Sequence, residues 1–262
     1  MSNERLQQKL ALEGGLKAVT TIEGKGKPKI GKDEFMAVVE RFGLPAETVK
    51  RVSDAISDED FAGGPFLANY YSGLKETANQ AFARVARTVF GSKYALPISS
   101  GTAALHAAFV AAGVGPGKEV ILSAIGFYAT AAAVVMAKGV PVFCDVDESL
   151  HMDPTKIEKL INKRTVCLCP THVMGSVANM PAIMKVAQKH KLAVVEDCAQ
   201  SCGGKVKDQI VGTFGDLGIY SISAYKIVGG GEGGMMVTNN EKMYDAACIL
   251  YEGGGLTRPV RF

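Results

Sequence analysis

The chain has 262 residues, 47% of them hydrophobic and 21% charged, a composition of packed globular proteins that excludes disordered, collagenous and coiled-coil classes. Lys and Arg number 29 against 26 Asp and Glu; a net charge of +3 is too slight to signal a nucleic acid or a membrane surface, and it suits a small anionic ligand. The longest apolar run, Ala129 to Ala137, falls far short of the roughly 20 residues that cross a bilayer. The charges within MSNERLQQKLALEGG are foreign to a signal peptide, so the expectation is a soluble, cytoplasmic protein. The six cysteines, at 144, 167, 169, 198, 202 and 248, mostly sit in apolar runs without a CxxC pair, which favours reduced core thiols over disulfides or a zinc site.

Residues 1–35 carry Lys25, Lys27, Lys29 and Lys32 among Gly24, Gly26, Pro28 and Gly31, a punctuation that holds no regular element and reads as an N-terminal arm. A helical pattern runs from Lys32 through Phe35, Val38, Val39 and Phe42, and a stronger one from Leu74 through Ala78, Ala81, Phe82, Val85 and Val89. The glycine- and aromatic-rich loop between them, FAGGPFLANYYSG, is either a surface connection or a lip over a site. From Tyr94 onward strand-like runs alternate with helical patterns: YALPI and 103–112, EVILSA and 129–137, VPVFCDV and 155–161, TVCLCP and 182–190, then LAVVED. That rhythm predicts a mainly parallel sheet with helices on both faces. LGIYSIS and GMMVTN follow with only a glycine-rich turn between them, which predicts an antiparallel pair, and a last helix spans 241–250 before the tail EGGGLTRPVRF.

Within GGGEGG, Gly229, Gly231 and Gly234 match G-x-G-x-x-G, but a strand follows where a dinucleotide motif opens a helix, so nucleotide cofactors are not expected. Ser99-Ser100-Gly101-Thr102-Ala103 lies where a strand ends and an alanine-rich helix begins. Free backbone N–H groups there suit a phosphate, although an ordinary Ser/Thr N-cap has the same sequence. Glu196 and Asp197 end a buried strand, where open α/β sheets place ligands. A carboxylate there needs a partner such as a cationic ring nitrogen; a metal is the weaker option, because no His or acid stands at ligand spacing. Lys226, in SISAYK, follows an apolar strand and precedes the glycine-rich turn; partial desolvation there would lower its pKa and make it a Schiff-base amine, while a snorkelling surface lysine is the bland alternative.

Together with SGTAALHAAF, VPVFCDVD, VCLCPTHVMG, VVEDCAQSCGG and GEGGMMVT, these pieces resemble the DegT/DnrJ/EryC1/StrS family of sugar aminotransferases, pyridoxal-phosphate enzymes of fold type I, over roughly residues 30 to 255. The resemblance implies a three-layer α/β/α large domain over residues 36–262 with a mainly parallel, seven-stranded sheet, and a C-terminal small domain missing from this chain. By similarity Lys226 would bond the pyridoxal 5'-phosphate and later carry a proton, and Asp197 would face the pyridine nitrogen. Gln200 would reach the phenolic oxygen, Gly101, Thr102 and Ser221 would hold the phosphate, and Phe127 would cover the ring face. His172, in the family's VHxxG-like segment, would line the substrate side. Gly126 departs from the family, which commonly has Thr there.

The activity so implied is transfer of an amino group from glutamate or glutamine to a keto-sugar or keto-cyclitol by a ping-pong mechanism, in a cytoplasmic homodimer without metal, membrane or nucleic-acid partner. Two alternatives are a pyridoxal-phosphate dehydratase or lyase on the same fold, and a non-catalytic or regulatory homologue. The family's sugar dehydratases carry histidine in place of the lysine, so Lys226 favours transamination.

Overall fold

The computed structural model describes residues 31–61 and 76–251. The lysine-rich part of the arm, the FAGGPFLANYYSG loop beyond Phe61 and the C-terminal tail lie outside the described residues. The chain divides into two compact units, Met1–Leu74 and Lys75–Phe262.

The first unit contributes α1 (Lys32–Glu40), α2 (Ala46–Asp54) and a 3-10 turn at Asp58–Phe61. The Glu34 carboxylate accepts the Gly31 N–H at 2.8 Å, closing the start of α1, and Phe35 packs on Phe61 with ring centroids 5.8 Å apart. The periodicity of Phe35, Val38, Val39 and Phe42 foretells α1. The second helix escapes that reading, because AETVKRVSD carries only two strongly apolar residues and buries no side chain.

The second unit runs α3 (Ala78–Phe90), β1 (Tyr94–Ile98), α4 (Gly101–Ala111), β2 (Glu119–Ser123), α5 (Ala129–Met136), β3 (Val140–Cys144), α6 (Pro154–Ile157), β4 (Thr165–Cys169), α7 (Met180–His190), β5 (Ala193–Asp197), the short strands β6 (Lys205–Val206) and β7 (Gln209–Ile210), β8 (Leu217–Ser221), β9 (Gly234–Thr238) and α8 (Glu241–Tyr251). Seven strands form one sheet in the order β1-β9-β8-β5-β4-β2-β3. Only β9 runs against the rest: it pairs antiparallel with β1, Tyr94 opposite Thr238, and with β8, Leu217 opposite Thr238. The pairs β2–β3, β2–β4, β4–β5 and β5–β8 are parallel, so six strands present their carboxyl ends at one edge.

The strands alternate faces with period two. Leu96, Val120, Leu122, Cys167, Cys169, Val195, Leu217, Ile219 and Met236 point into one core with α4, α5 and α8. On the opposite face Ile121, Leu168 and Val194 meet α6 and α7, and Ala95, Tyr220, Met235 and Val237 meet α3. Three layers result, as the alternating pattern requires. The expected helix over 155–161 is shorter: α6 gives way to a 3-10 turn at Glu158–Leu160. The hairpin β6–β7 has two-residue strands and no readable period. The six cysteines are free thiols, five buried and Cys202 half-buried.

Candidate active site

The carboxyl ends of β1, β5 and β8 and the loop after β2 enclose a cavity of about 340 Å³, lined among others by Gly101, Thr102, Phe127, Asp197, Gln200, Ser221 and Lys226. All seven residues that the resemblance ties to cofactor binding therefore line one cavity.

The start of α4 gives the cavity its backbone donors by local geometry. Ser100 is in extended conformation and its Oγ accepts the Ala103 N–H at 3.0 Å, while the Ala104 N–H goes to the Ser100 carbonyl. The N-cap reading is thus correct, and it leaves the first-turn N–H groups of Gly101 and Thr102 at the cavity, where the helix has no carbonyl for them. Glycine is required at 101: a Cβ there would stand 2.8 Å from Ser221 Cβ and 3.3 Å from its Oγ. The close approach brings the Ser221 hydroxyl beside the helix end. Phe127, half-exposed, projects from the loop before α5, and the Lys226 ammonium stands 5.7 Å from its ring centroid.

Lys226 rides on a loop that folds back on itself. Ile222 N–H bonds to Gly233 O, Ala224 N–H to Gly231 O at 2.7 Å and Gly230 N–H to Ile222 O at 2.8 Å. Gly231, at φ +89°, makes the left-handed step that returns the chain to β9. The glycines of GGGEGG therefore serve this turn, and β9 begins at Gly234.

Asp197 is 2% exposed. Its Oδ2 accepts the Thr130 hydroxyl at 2.7 Å and its Oδ1 the Ala199 N–H at 3.1 Å. Burial pushes its carboxyl above the usual range, and the Thr130 and Ala199 donors, with His172 and Lys226 nearby, pull against that rise. Among the described residues Asp197 forms no ion pair. Gln200 is oriented by its own acceptor: Oε1 takes the Met174 N–H at 3.1 Å, so the amide NH2 is the group left for the cavity, and it meets acceptors.

The neighbouring acid does different work. Glu196, fully buried, accepts the N–H groups of Gly212 at 2.8 Å and of Phe214 and Gly215 at 2.7 Å each. His172, expected on the substrate side, is not among the residues that line the cavity. Its ring is fully buried; Nδ1 accepts the Ala178 N–H at 3.1 Å and Nε2 faces Glu196 Oε2 at 3.3 Å. The alternation of β5 explains this, because Glu196 points away from Asp197 and takes the histidine with it.

The fold also brings His172, Glu196 and Cys198 within 4.8 Å of one another, a metal-like grouping that sequence spacing concealed. Their ligand atoms are already engaged, Glu196 by three backbone donors and His172 on both nitrogens, and burial pushes the Cys198 thiol well up, away from the thiolate a metal needs. Gly126 packs on Thr171, with a built Cβ 3.3 Å from Oγ1. The contact that sequence reasoning missed is Thr130. A hydroxyl in the first turn of a helix that follows a strand end was the signal for it.

A model of the DegT/DnrJ/EryC1/StrS aminotransferase family matches residues 71–259. The chain belongs to that family. Among relatives within it, an L-glutamine:2-deoxy-scyllo-inosose aminotransferase of Micromonospora echinospora is 35% identical over 207 residues, 79% of this chain and 49% of the relative. A UDP-N-acetyl-3-dehydro-alpha-D-glucosamine 3-aminotransferase of Acidithiobacillus ferrooxidans is 44% identical over 155 residues, 58% of this chain and 42% of the relative. NtdA of Bacillus subtilis, solved with bound cofactor PMP, superposes with a TM-score of 0.65 at 27% identity, covering 93% of this chain and 52% of that one. The chain spans about half the length of the curated relatives it matches, 51% in the case of a pleiotropic regulatory protein of Geobacillus stearothermophilus.

Proposed function

We propose that this DegT/DnrJ/EryC1/StrS chain is a pyridoxal-phosphate-dependent aminotransferase that moves an amino group from glutamate or glutamine to a keto-sugar or keto-cyclitol in two half-reactions. The observation that carries this reading is the convergence of Lys226, the buried Asp197 carboxylate and the start of α4 on one cavity.

The residues fit the cofactor on two independent counts. The Gly101–Ser221 approach leaves a cradle that a Cβ would fill, with N–H and hydroxyl donors for a phosphate. Asp197 is a buried carboxylate that has no ion-pair partner among the described residues, and a protonated ring nitrogen would supply one. Bound there, pyridoxal phosphate supplies an aldehyde that captures amines and a ring that withdraws electrons. Gly101, Thr102 and Ser221 would hold the phosphate; Asp197 would hold a proton at the ring nitrogen; the Gln200 NH2 would donate to the phenolic oxygen; Phe127 would cover one face of the ring. Lys226 Nζ would be the amine offered to that aldehyde and the base that could hold and move a proton in the cavity.

The named activities of the relatives support glutamine as donor and a ketone on a sugar or cyclitol ring as acceptor. The reading includes residues 36–262 as the cofactor-binding domain behind an arm at 1–35. It also includes a cytoplasmic homodimer: Tyr225, Met174 and Tyr128 stand 98%, 82% and 75% exposed around the site, an apolar rim suited to a second copy. No helix among the described residues is long and apolar enough to cross a membrane. The test is borohydride reduction after addition of pyridoxal phosphate, with peptide mapping. An adduct on Lys226 supports the reading; an adduct only on other lysines, or none, overturns it.

A further inference from the structure

We propose that Thr130 is a positioning residue that keeps Asp197 ionised and aimed within the cavity. The inference rests on the cofactor reading above and adds a residue to it.

Thr130 stands at the second position of α5 and is 5% exposed, so its hydroxyl has no solvent to turn to. The hydroxyl has one proton, and the 2.7 Å contact to Asp197 Oδ2 gives that proton to the carboxylate. A donor of this kind favours the charged form of a buried acid. The first turn of α5 adds the positive end of its dipole on the same side. Asp197 Oδ1 has the Ala199 N–H, so each oxygen is pinned once and the carboxylate plane cannot rotate freely. One lone pair on each oxygen remains for a proton-bearing partner in the cavity.

The titratable groups near Asp197 among the described residues are few. His172 follows β4, Lys226 follows β8, Cys169 ends β4, and Glu196 and Cys198 are its neighbours in sequence, Glu196 on the opposite face of β5. The two thiols are pushed well up by burial and stay neutral, and Glu196 is absorbed by the Gly212, Phe214 and Gly215 amides. Thr130 is therefore the side chain that directly solvates the charge before any cofactor enters.

The test is made first on the cofactor-free 262-residue protein carrying ¹³Cγ-labelled aspartate, with Asp197 assigned by its loss in Asp197→Asn. Removal of a hydrogen bond to a charged group predicts that the Asp197 carboxyl in Thr130→Val titrates about one to two pH units above wild type. Thr130→Ser, which keeps the hydroxyl, follows wild type. On addition of pyridoxal phosphate, Thr130→Val binds it at least about tenfold more weakly and Thr130→Ser does not. An unshifted titration in Thr130→Val, or an equal shift in both variants, overturns the role of Thr130. Wild-type protein that takes up no pyridoxal phosphate overturns the cofactor reading and leaves the titration result standing by itself.

Discussion

Glu196 and Asp197 are consecutive residues at the end of β5, and they face opposite sides of the sheet. Asp197 opens on the cavity beside Thr130, whereas Glu196 is sunk behind it, gathering three backbone N–H groups of residues 212–215. One acid serves the site and the other holds the loop that leads into β8.

Replacement of Glu196 by Gln separates these roles. The amide keeps one acceptor oxygen where two are used, so at least one buried N–H loses its partner, and unfolding free energy falls by about 2–4 kcal/mol in denaturant melts. Cofactor affinity measured at a temperature where the variant is folded changes little.

Asp197→Asn has the reverse signature. Burial raises the carboxyl of Asp197, so its folded form holds a proton more readily than the unfolded chain. The group's stabilising contribution is full below the ordinary aspartate value of 3.8 and is lost as pH rises through the folded pKa, leaving a cost at neutral pH. Asparagine removes that cost, since Oδ1 still takes the Ala199 N–H and the amide can donate to Thr130. The cofactor-free variant melts higher than wild type at pH 7, while turnover falls by about a hundredfold or more because the ring cation has lost its counter-charge. Calorimetry and steady-state kinetics on the same preparation check both halves.

Lys226→Ala is expected to bind pyridoxal phosphate without a borohydride-fixable bond and to lose about 10²–10⁴-fold in turnover, the range for removing a positioned general base. Retention of an exogenous-amine response in that variant, read by absorbance, separates loss of the base from loss of the pocket.

Gly101→Ala probes the cradle. The added methyl meets Ser221 Cβ at 2.8 Å, and relief of that contact moves either β8 or the start of α4. An overpacking strain of about 1–3 kcal/mol, expressed on binding, weakens pyridoxal phosphate by about ten- to a hundredfold. Fluorescence titration with the cofactor, compared with pyridoxal lacking the phosphate, shows the loss concentrated in the phosphorylated form.

His151 ties stability to pH: it is 1% exposed and accepts the Val173 N–H on Nε2 at 3.3 Å. Burial lowers its pKa below the ordinary 6.5. The unfolded chain therefore takes up a proton that the folded ring refuses, and stability declines as pH falls below about 6.5, with a limiting slope near 1.4 kcal/mol per unit for this one site. His106, lowered chiefly by burial as well, adds in the same direction. Melts between pH 7 and 5 should flatten in His151→Gln.

Much of this architecture is legible in the residues. VVED, TVCLC and EVILS read as strands because both faces are buried, and the SSGTAAL and SISAYK segments announce the helix start and the loop lysine. The division of labour between Glu196 and Asp197 is not legible, because two adjacent acids look alike until the pleat assigns them faces. The same pleat hides His172, whose partner Glu196 lies 24 residues away in sequence. Thr130 is hidden for a related reason: its partner is 67 residues distant, and no local period reports such a pair.

The position of β9 between β1 and β8 sets a timetable for the ribosome. Strand β1 precedes the other six, yet among the described residues its partner in the sheet is Gly234–Thr238, so it waits unpaired while the five strands between are made. Gly234 is also the strand residue on which the Ser100 carbonyl closes, near enough that no Cβ would fit. Both banks of the proposed phosphate cradle, one after β1 and one after β8, are thus fastened to each other by the last of these seven strands in chain order. A nascent chain has almost its whole sheet before it has any anion site, and the cofactor can reward only molecules whose final strand has slotted home.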